Sequence, residues 1–161
     1  MDLFAEVVAL TAALEAAAID YAICGGVALA VHGAPRATKD IDLLAREADL
    51  PRLREAVHTR GFTVEALPMT FSSSGISIRR FTKIEPDGRI LMVDVLLAEG
   101  ALESVWQTRA RVAFGSAGAP QSRLWVVSRD GLITLKLAAG RPQDIVDIQR
   151  LKEVSRGEHD A

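Results

Sequence analysis

The feature that most constrains this chain is a glycine pair, Gly25-Gly26, with Asp40-Ile41-Asp42 beginning fourteen residues beyond it. The pair follows Tyr21-Ala22-Ile23-Cys24, an apolar run that reads as a short strand. Two glycines at a strand end let a backbone approach something bulky and anionic. The two acids, at i and i+2 of a second strand, point to one face of a sheet. Like charges placed this way repel unless a cation lies between them, and Mg²⁺ is the usual one. Taken alone, Asp-Ile-Asp also fits an edge strand whose acids alternate outward over Ile41 and Leu43.

Asp94 narrows that choice. It lies inside Ile90-Leu91-Met92-Val93-Asp94-Val95-Leu96-Leu97, where an unpaired carboxylate is costly to bury. Outward alternation accounts for it poorly. Converging with Asp40 and Asp42, it would complete a site for two divalent cations about 3.5–4 Å apart. One metal would hold a triphosphate and the other would lower the pKa of an attacking hydroxyl. Asp94 is also suited to serve as general base for that hydroxyl.

The surrounding pattern predicts an α/β fold of the mixed, α+β-like sort. A helix over residues 3–18 is capped by Asp2, and a short helix from Val27 to His32 is stopped by Gly33 and Pro35. Asp40–Ala45 is a strand. Asp49 caps a helix to Thr59 with Pro51 in its first turn, and Gly61 opens a strand through Leu67. A Ser-rich connection, Thr70–Gly75, precedes strands over 76–84 and 89–98, joined by Glu85-Pro86-Asp87-Gly88, a hairpin turn. A helix over 102–109, strands near 111–114 and 124–127, and helices from Arg129 to Ala139 and from Pro142 to about Val154 complete the order. Residues 1–154 read as one domain and 155–161 as a polar, frayed tail. The hairpin excludes an all-parallel sheet.

Composition removes several classes. The net charge of −2 leaves no general basic footprint for nucleic acid. No apolar run is long enough to span a membrane. The single Cys24 excludes an internal disulfide, suits a reducing, cytoplasmic setting, and reads as a small buried side chain. His32, His58 and His159 are too few and too scattered for zinc, His32 packing or capping its helix and the other two lying on the surface. No Gly-x-Gly-x-x-Gly or P-loop pattern is present.

Together, Gly25, Gly26, Asp40, Asp42 and Asp94 resemble the pattern of the nucleotidyltransferase superfamily that includes DNA polymerase beta. The longer string Gly-Gly-x-Ala-x-x-x-His-Gly-x-x-Arg-x-Thr-x-Asp-Ile-Asp-Leu is similar to AbiEii-type toxin nucleotidyltransferases and to the related lincosamide and aminoglycoside enzymes. The later segment, Lys136 followed by Arg141-x-x-Asp144-x-x-Asp147, resembles the AbiEii-type pattern as well. The likeness spans roughly residues 20–150.

That resemblance implies transfer of a nucleoside monophosphate from NTP to a hydroxyl, with pyrophosphate released. It places the triphosphate at Gly25 and Gly26, two Mg²⁺ on Asp40, Asp42 and Asp94, and phosphate contacts or loop stabilisation at Arg36, Thr38 and Lys39. Lys136 would neutralise charge on the triphosphate. Plainer accounts exist for several of these. Arg36 could pair with Asp40 or Glu47, Lys39 could be solvated, and Lys136 could snorkel from an apolar helix. Asp144 and Asp147 could answer only a helix dipole, with Asp147 pairing Arg150 on the surface.

The resemblance leaves the acceptor open: a tRNA end, a protein hydroxyl or a small antibiotic. Arg79, Arg80, Lys83 and Arg89 tilt toward RNA or a nucleotide, although adjacent Arg79 and Arg80 point to opposite faces. It also implies a possible cognate toxin or antitoxin chain. The competing function is a non-catalytic module of the same fold that binds a partner protein as an antitoxin.

Overall fold

Alternation along two central strands sets the architecture. In Asp40–Ala45 (β2) and Ile90–Leu97 (β6), paired in parallel, Ile41 and Leu43 lie opposite Val93 and Val95, all fully buried. The intervening positions, Asp40, Asp42 and Asp94, turn to the other face. One face of the sheet is therefore core and the other carries the acids. The computed structural model describes residues 2–71, 74–115, 118 and 121–160, with side chains through Gly157.

Around this pair, the remaining elements are α1 (Leu3–Ala16), β1 (Ala22–Cys24), α2 (Gly25–Val31), α3 (Leu50–Thr59), β3 (Val64–Glu65), β4 (Met69–Thr70) and β5 (Ser77–Ile84). They continue with α4 (Glu103–Gln107), β7 (Ala110–Phe114), β8 (Ser122–Val126), α5 (Arg129–Ala139) and α6 (Pro142–Asp160). The strands form one mixed sheet in the order β3-β5-β6-β2-β1-β8-β7, with β4 beside β5. β2 pairs antiparallel with β1 and parallel with β6, so it is a central strand. An edge-strand account of Asp40 and Asp42 is thereby excluded. The helix α1 lies over the apolar face, where its Glu6 holds Lys83 of β5 at 2.8 Å.

Local signals behave largely as their chemistry dictates. Asp2 Oδ1 accepts a hydrogen bond from the Phe4 amide, and Ser128 Oγ accepts one from Gly131. Gly140 closes α5 in the left-handed region at φ 64°. The Glu85–Gly88 turn holds Ile84 opposite Ile90.

The structure differs from the sequence reading at several ends. The helix after β1 starts at Gly25, not Val27, so both glycines belong to its first turn. Asp49 ends a short 3₁₀ turn, makes no capping bond and pairs with Arg52 at 2.7 Å. The strand after Gly61 is confined to Val64–Glu65. Within the Thr70–Gly75 connection, Ser72 and Ser73 lie outside the described residues, while Met69 and Thr70 pair with Ile78 and Ser77. The last helix continues past Val154 to Asp160 where a frayed tail was expected. His58 is half-buried edge-on to Phe81 rather than a surface residue, and the side chain of His159 is outside the described set.

Candidate active site

The sheet register lines up four side chains in one row. Cys24 of β1 lies opposite Asp42, Asp42 opposite Asp94, and Asp94 opposite Arg80 of β5. Directly paired residues share a face, and Asp40, two residues from Asp42, joins them. This row floors a cavity of about 550 Å³. Its rim brings in Gly25, the loop residues Arg36, Thr38 and Lys39, and Lys136 and Arg141 from the α5–α6 corner. Phe71, Ile78 and Leu96 line it at one side, and Leu132, Leu135 and Ala139 of α5 also contribute. All three acids and all the nucleotide-site candidates except Gly26 therefore line one cavity, together with Asp144.

Gly25 and Gly26 are where they are because nothing larger fits. Gly25 has φ +62°, and a Cβ there would stand 1.9 Å from Asp42 Oδ2. A Cβ on Gly26 would stand 2.6 Å from Thr38 Oγ1. The first turn of α2 is thus pressed against the second acid and against the loop before β2.

The acids are crowded. Burial, then the charges of Asp94 and Asp40, push Asp42 up to about 7. Burial and the Asp94 charge also raise Asp40, with Arg80 and Lys39 opposing them. Burial and the Asp42 charge push the Cys24 thiol up, so it is an inert, 2 % exposed side chain rather than a nucleophile. Arg80 relieves part of this crowding. Its Nε and Nη2 donate to Asp94 Oδ1 and Oδ2, each at 2.8 Å.

A second, buried network fixes the opposite wall. Lys136 is 5 % exposed and its Nζ lies 3.2 Å from Asp144 Oδ1 and 3.0 Å from Asp147 Oδ2. Both acids are fully buried. Asp144 also accepts from the Arg141 backbone and guanidinium, reaching back across the first turn of α6 as the acid of a capping box does. Asp147 accepts from Arg36 Nε and from Gln143. Burial alone would raise both carboxyls, but these hydrogen bonds and the Lys136 charge hold them below the usual range. Lys136 therefore does not snorkel, and the two acids do more than answer a helix dipole, being buried partners of Lys136, Arg141 and Arg36. Arg36 pairs with Asp147, not with Asp40 or Glu47. Arg150 donates to the Pro35 carbonyl at 2.7 Å instead of pairing Asp147. The C-terminal helix thus grips the Gly33–Lys39 loop at two points, and that loop leads into the acid-bearing strand.

The basic hairpin dissolves as a surface. Arg80 is spent on Asp94, Lys83 on Glu6 and Arg89 on Asp87. Arg79 donates to the Ile78 carbonyl. The Arg80–Asp94 pair is the site contact that sequence reading missed, although a signal was present. Once the turn sets Ile84 opposite Ile90, counting back along the hairpin puts Arg80 opposite Asp94. The apolar lining from Phe71, Ile78 and Leu96 had no comparable signal. Leu137 of α5 is exposed.

As a metal site, the donor chemistry fits a hard divalent cation: three carboxylates with no imidazole among them. Among the described residues, no three His, Cys, Asp or Glu side chains stand so that they could hold a metal ion. Asp94 is drawn onto Arg80, which supplies the positive charge in its place. No described helix is long and apolar enough to cross a membrane.

Solved structures of similar architecture are nucleotidyltransferases or resemble them. An antigenic nucleotidyltransferase-like protein from Paracoccidioides brasiliensis matches with a TM-score of 0.54 at 22% identity, over 91% of this chain and 74% of that one. The enzyme ANT(2")-Ia, solved with adenylyl-2"-tobramycin, matches at 0.59 and 16%, over 98% and 91%. A protein from Thermotoga maritima that is named a putative nucleotidyltransferase matches at 0.57 and 14%, over 91% and 90%. These likenesses establish the fold. No curated protein matches in sequence. The family model for the nucleotidyl transferase AbiEii toxin of type IV toxin–antitoxin systems matches residues 8–161, so this chain belongs to the AbiEii nucleotidyltransferase family.

Proposed function

We propose that this nucleotidyltransferase moves a nucleoside monophosphate from an NTP to a hydroxyl acceptor and releases pyrophosphate, using Mg²⁺ held by Asp40, Asp42 and Asp94. The observation that carries this reading is the single cavity that gathers the three acids, Gly25 and Lys136. When bound, the cations would polarise the transferring phosphoryl group and lower the pKa of the attacking hydroxyl.

The chain's own residues supply the rest. Gly25, at the cavity rim, lets the first turn of α2 approach the triphosphate closely, Gly26 fits that turn against Thr38, and Thr38 and Lys39 flank the site from the loop before β2. Arg36, tied to Asp147, holds that loop in place. Lys136 and Arg141 offset the negative charge that builds on the departing pyrophosphate. Asp94 accepts the acceptor hydroxyl's proton as the bond to phosphorus forms.

The acceptor class remains a tRNA end, a protein hydroxyl or a small molecule. ANT(2")-Ia was solved in complex with adenylyl-2"-tobramycin, which supports the small-molecule member of this set. The family's toxin–antitoxin setting supports work beside a cognate partner chain.

Thermal shift with each of the four ribonucleotides, with and without Mg²⁺, tests the reading on the native chain and on Asp40→Asn/Asp42→Asn. A ligand at a hundredfold excess over Kd stabilises by about 2.7 kcal/mol. A Mg²⁺-dependent shift with one or two nucleotides, absent in the double variant, is expected. No shift with any of them would move the assignment to a non-catalytic, partner-binding antitoxin.

A further inference from the structure

We infer that Arg80 is an exchangeable counter-cation for the acid cluster: it forks onto Asp94 in this structure and passes to a nucleotide phosphate when metal and nucleotide enter together. This rests on the metal-dependent reading above and adds a coupling between the two ligands.

The geometry is specific. Arg80 engages both oxygens of Asp94, with Nε and Nη2 each at 2.8 Å, and Asp94 itself is 8 % exposed. A cation that draws on Asp94 must take an oxygen that the guanidinium holds. Opening the fork with no other anion at hand strands a charge in a partly buried place, which is costly. A guanidinium fork matches phosphate as well as it matches carboxylate. The Arg80 side chain is 36 % exposed and lines the cavity, so it has open space on the side where a nucleotide would lie.

The other cavity cations are placed differently. Lys136 and Arg141 are tied to Asp144 across the α5–α6 corner and Arg36 to Asp147, so none of these pairs involves the acid cluster, while Lys39, next to Asp40, is in no ion pair among the described residues. Arg80 is bound to a member of that cluster, so its release is linked to metal entry. Metal alone must then bind weakly, and nucleotide must tighten it beyond the direct contact between the two. By reciprocity, metal must tighten nucleotide by the same factor.

Mn²⁺ binding followed by electron paramagnetic resonance tests this without turnover. The full chain would be compared with Arg80→Gln, Arg80→Lys and Asp42→Asn, each with and without the α,β-methylene analogues of the four ribonucleotides. Arg80→Gln should bind Mn²⁺ about tenfold more tightly than the native chain in the absence of nucleotide, and the tightening by nucleotide should shrink by the same factor. Arg80→Lys, which keeps the charge and loses the fork, should fall between the two. It carries the test if circular dichroism shows that Arg80→Gln does not fold.

Mn²⁺ affinity in Arg80→Gln that is unchanged or weaker would overturn the exchange. So would a gain that is equal with and without nucleotide, since that is only the removal of a nearby positive charge. If Asp42→Asn abolishes Mn²⁺ binding while Arg80→Gln behaves as native, only the exchange fails. If Mn²⁺ binding is absent, or survives Asp42→Asn untouched, the carboxylate metal site of the proposed function fails and the exchange falls with it.

Discussion

Gly25 and Asp42 are in contact through a missing side chain: a Cβ on the glycine would lie 1.9 Å from the carboxylate Oδ2. The first residue of α2 and the middle acid of the cluster therefore cannot be placed independently. Gly25 also sits at φ +62°, where an L-residue pays about 1–2 kcal/mol. Gly25→Ala combines both penalties. A loss of about 2 kcal/mol or more in thermal denaturation is expected, with a roughly hundredfold fall in nucleotidyl transfer from a displaced Asp42. Near-native transfer by this variant would show that Asp42 need not stay where the glycine holds it.

Asp42 gives a pH signature. Its folded value of about 7 lies above the ordinary 3.8, so the carboxyl favours the protonated, folded form. Its stabilising contribution is full below about pH 4 and is lost as pH rises through 7. Asp42→Asn should therefore stabilise the metal-free protein at pH 8, by on the order of 3 kcal/mol, and change it little at pH 4. The same variant should abolish transfer. Denaturant titrations at the two pH values decide it, and equal effects at both would remove the claimed crowding.

Lys136 stands between two fully buried acids. Lys136→Met leaves both without their shared cation and should cost about 3–5 kcal/mol. Adding Asp144→Asn and Asp147→Asn should restore part of that stability, because the uncompensated charges go with the lysine. If the triple variant is no more stable than the single one, packing rather than charge explains the loss.

Asp144 and Asp147 lie below the ordinary carboxylate value, opposite in sign to Asp42. Their contribution is present above about pH 4 and disappears as pH falls through their folded values. Acid unfolding should begin at higher pH in Arg36→Gln, which removes one donor to Asp147. The same variant should raise KM for the nucleotide more than it lowers kcat, since it loosens the Gly33–Lys39 loop and touches none of Asp40, Asp42 and Asp94. An unchanged KM would separate the loop from nucleotide binding.

Much of this candidate site is legible in the sequence alone. Asp40, Asp42 and Asp94 stood out because alternation in an apolar strand leaves a carboxylate nowhere ordinary to go. Gly25, Gly26 and the Lys136–Asp147 segment stood out through a family pattern. The partners were harder to see. Arg36 meets Asp147 across more than a hundred residues of chain, and Lys136 meets two acids of the next helix, because loop closure and helix packing decide such pairs. Arg80 looked like part of a basic surface because neighbouring charges in sequence need not share a face.

The order of the main strands and helices (β4 excepted), the acid-bearing strands, the turn residues and the glycines that permit close approach all follow from the sequence. Those follow from period, propensity and backbone sterics, which act over a few residues. Only the tertiary structure decided that β2 is central rather than an edge, that Cys24, Asp42, Asp94 and Arg80 form one row, and that the C-terminal helix grips the loop before β2. These depend on strand register and on buried charges finding partners. Distant segments set both through the cost of leaving an ion or a polar backbone unpaired.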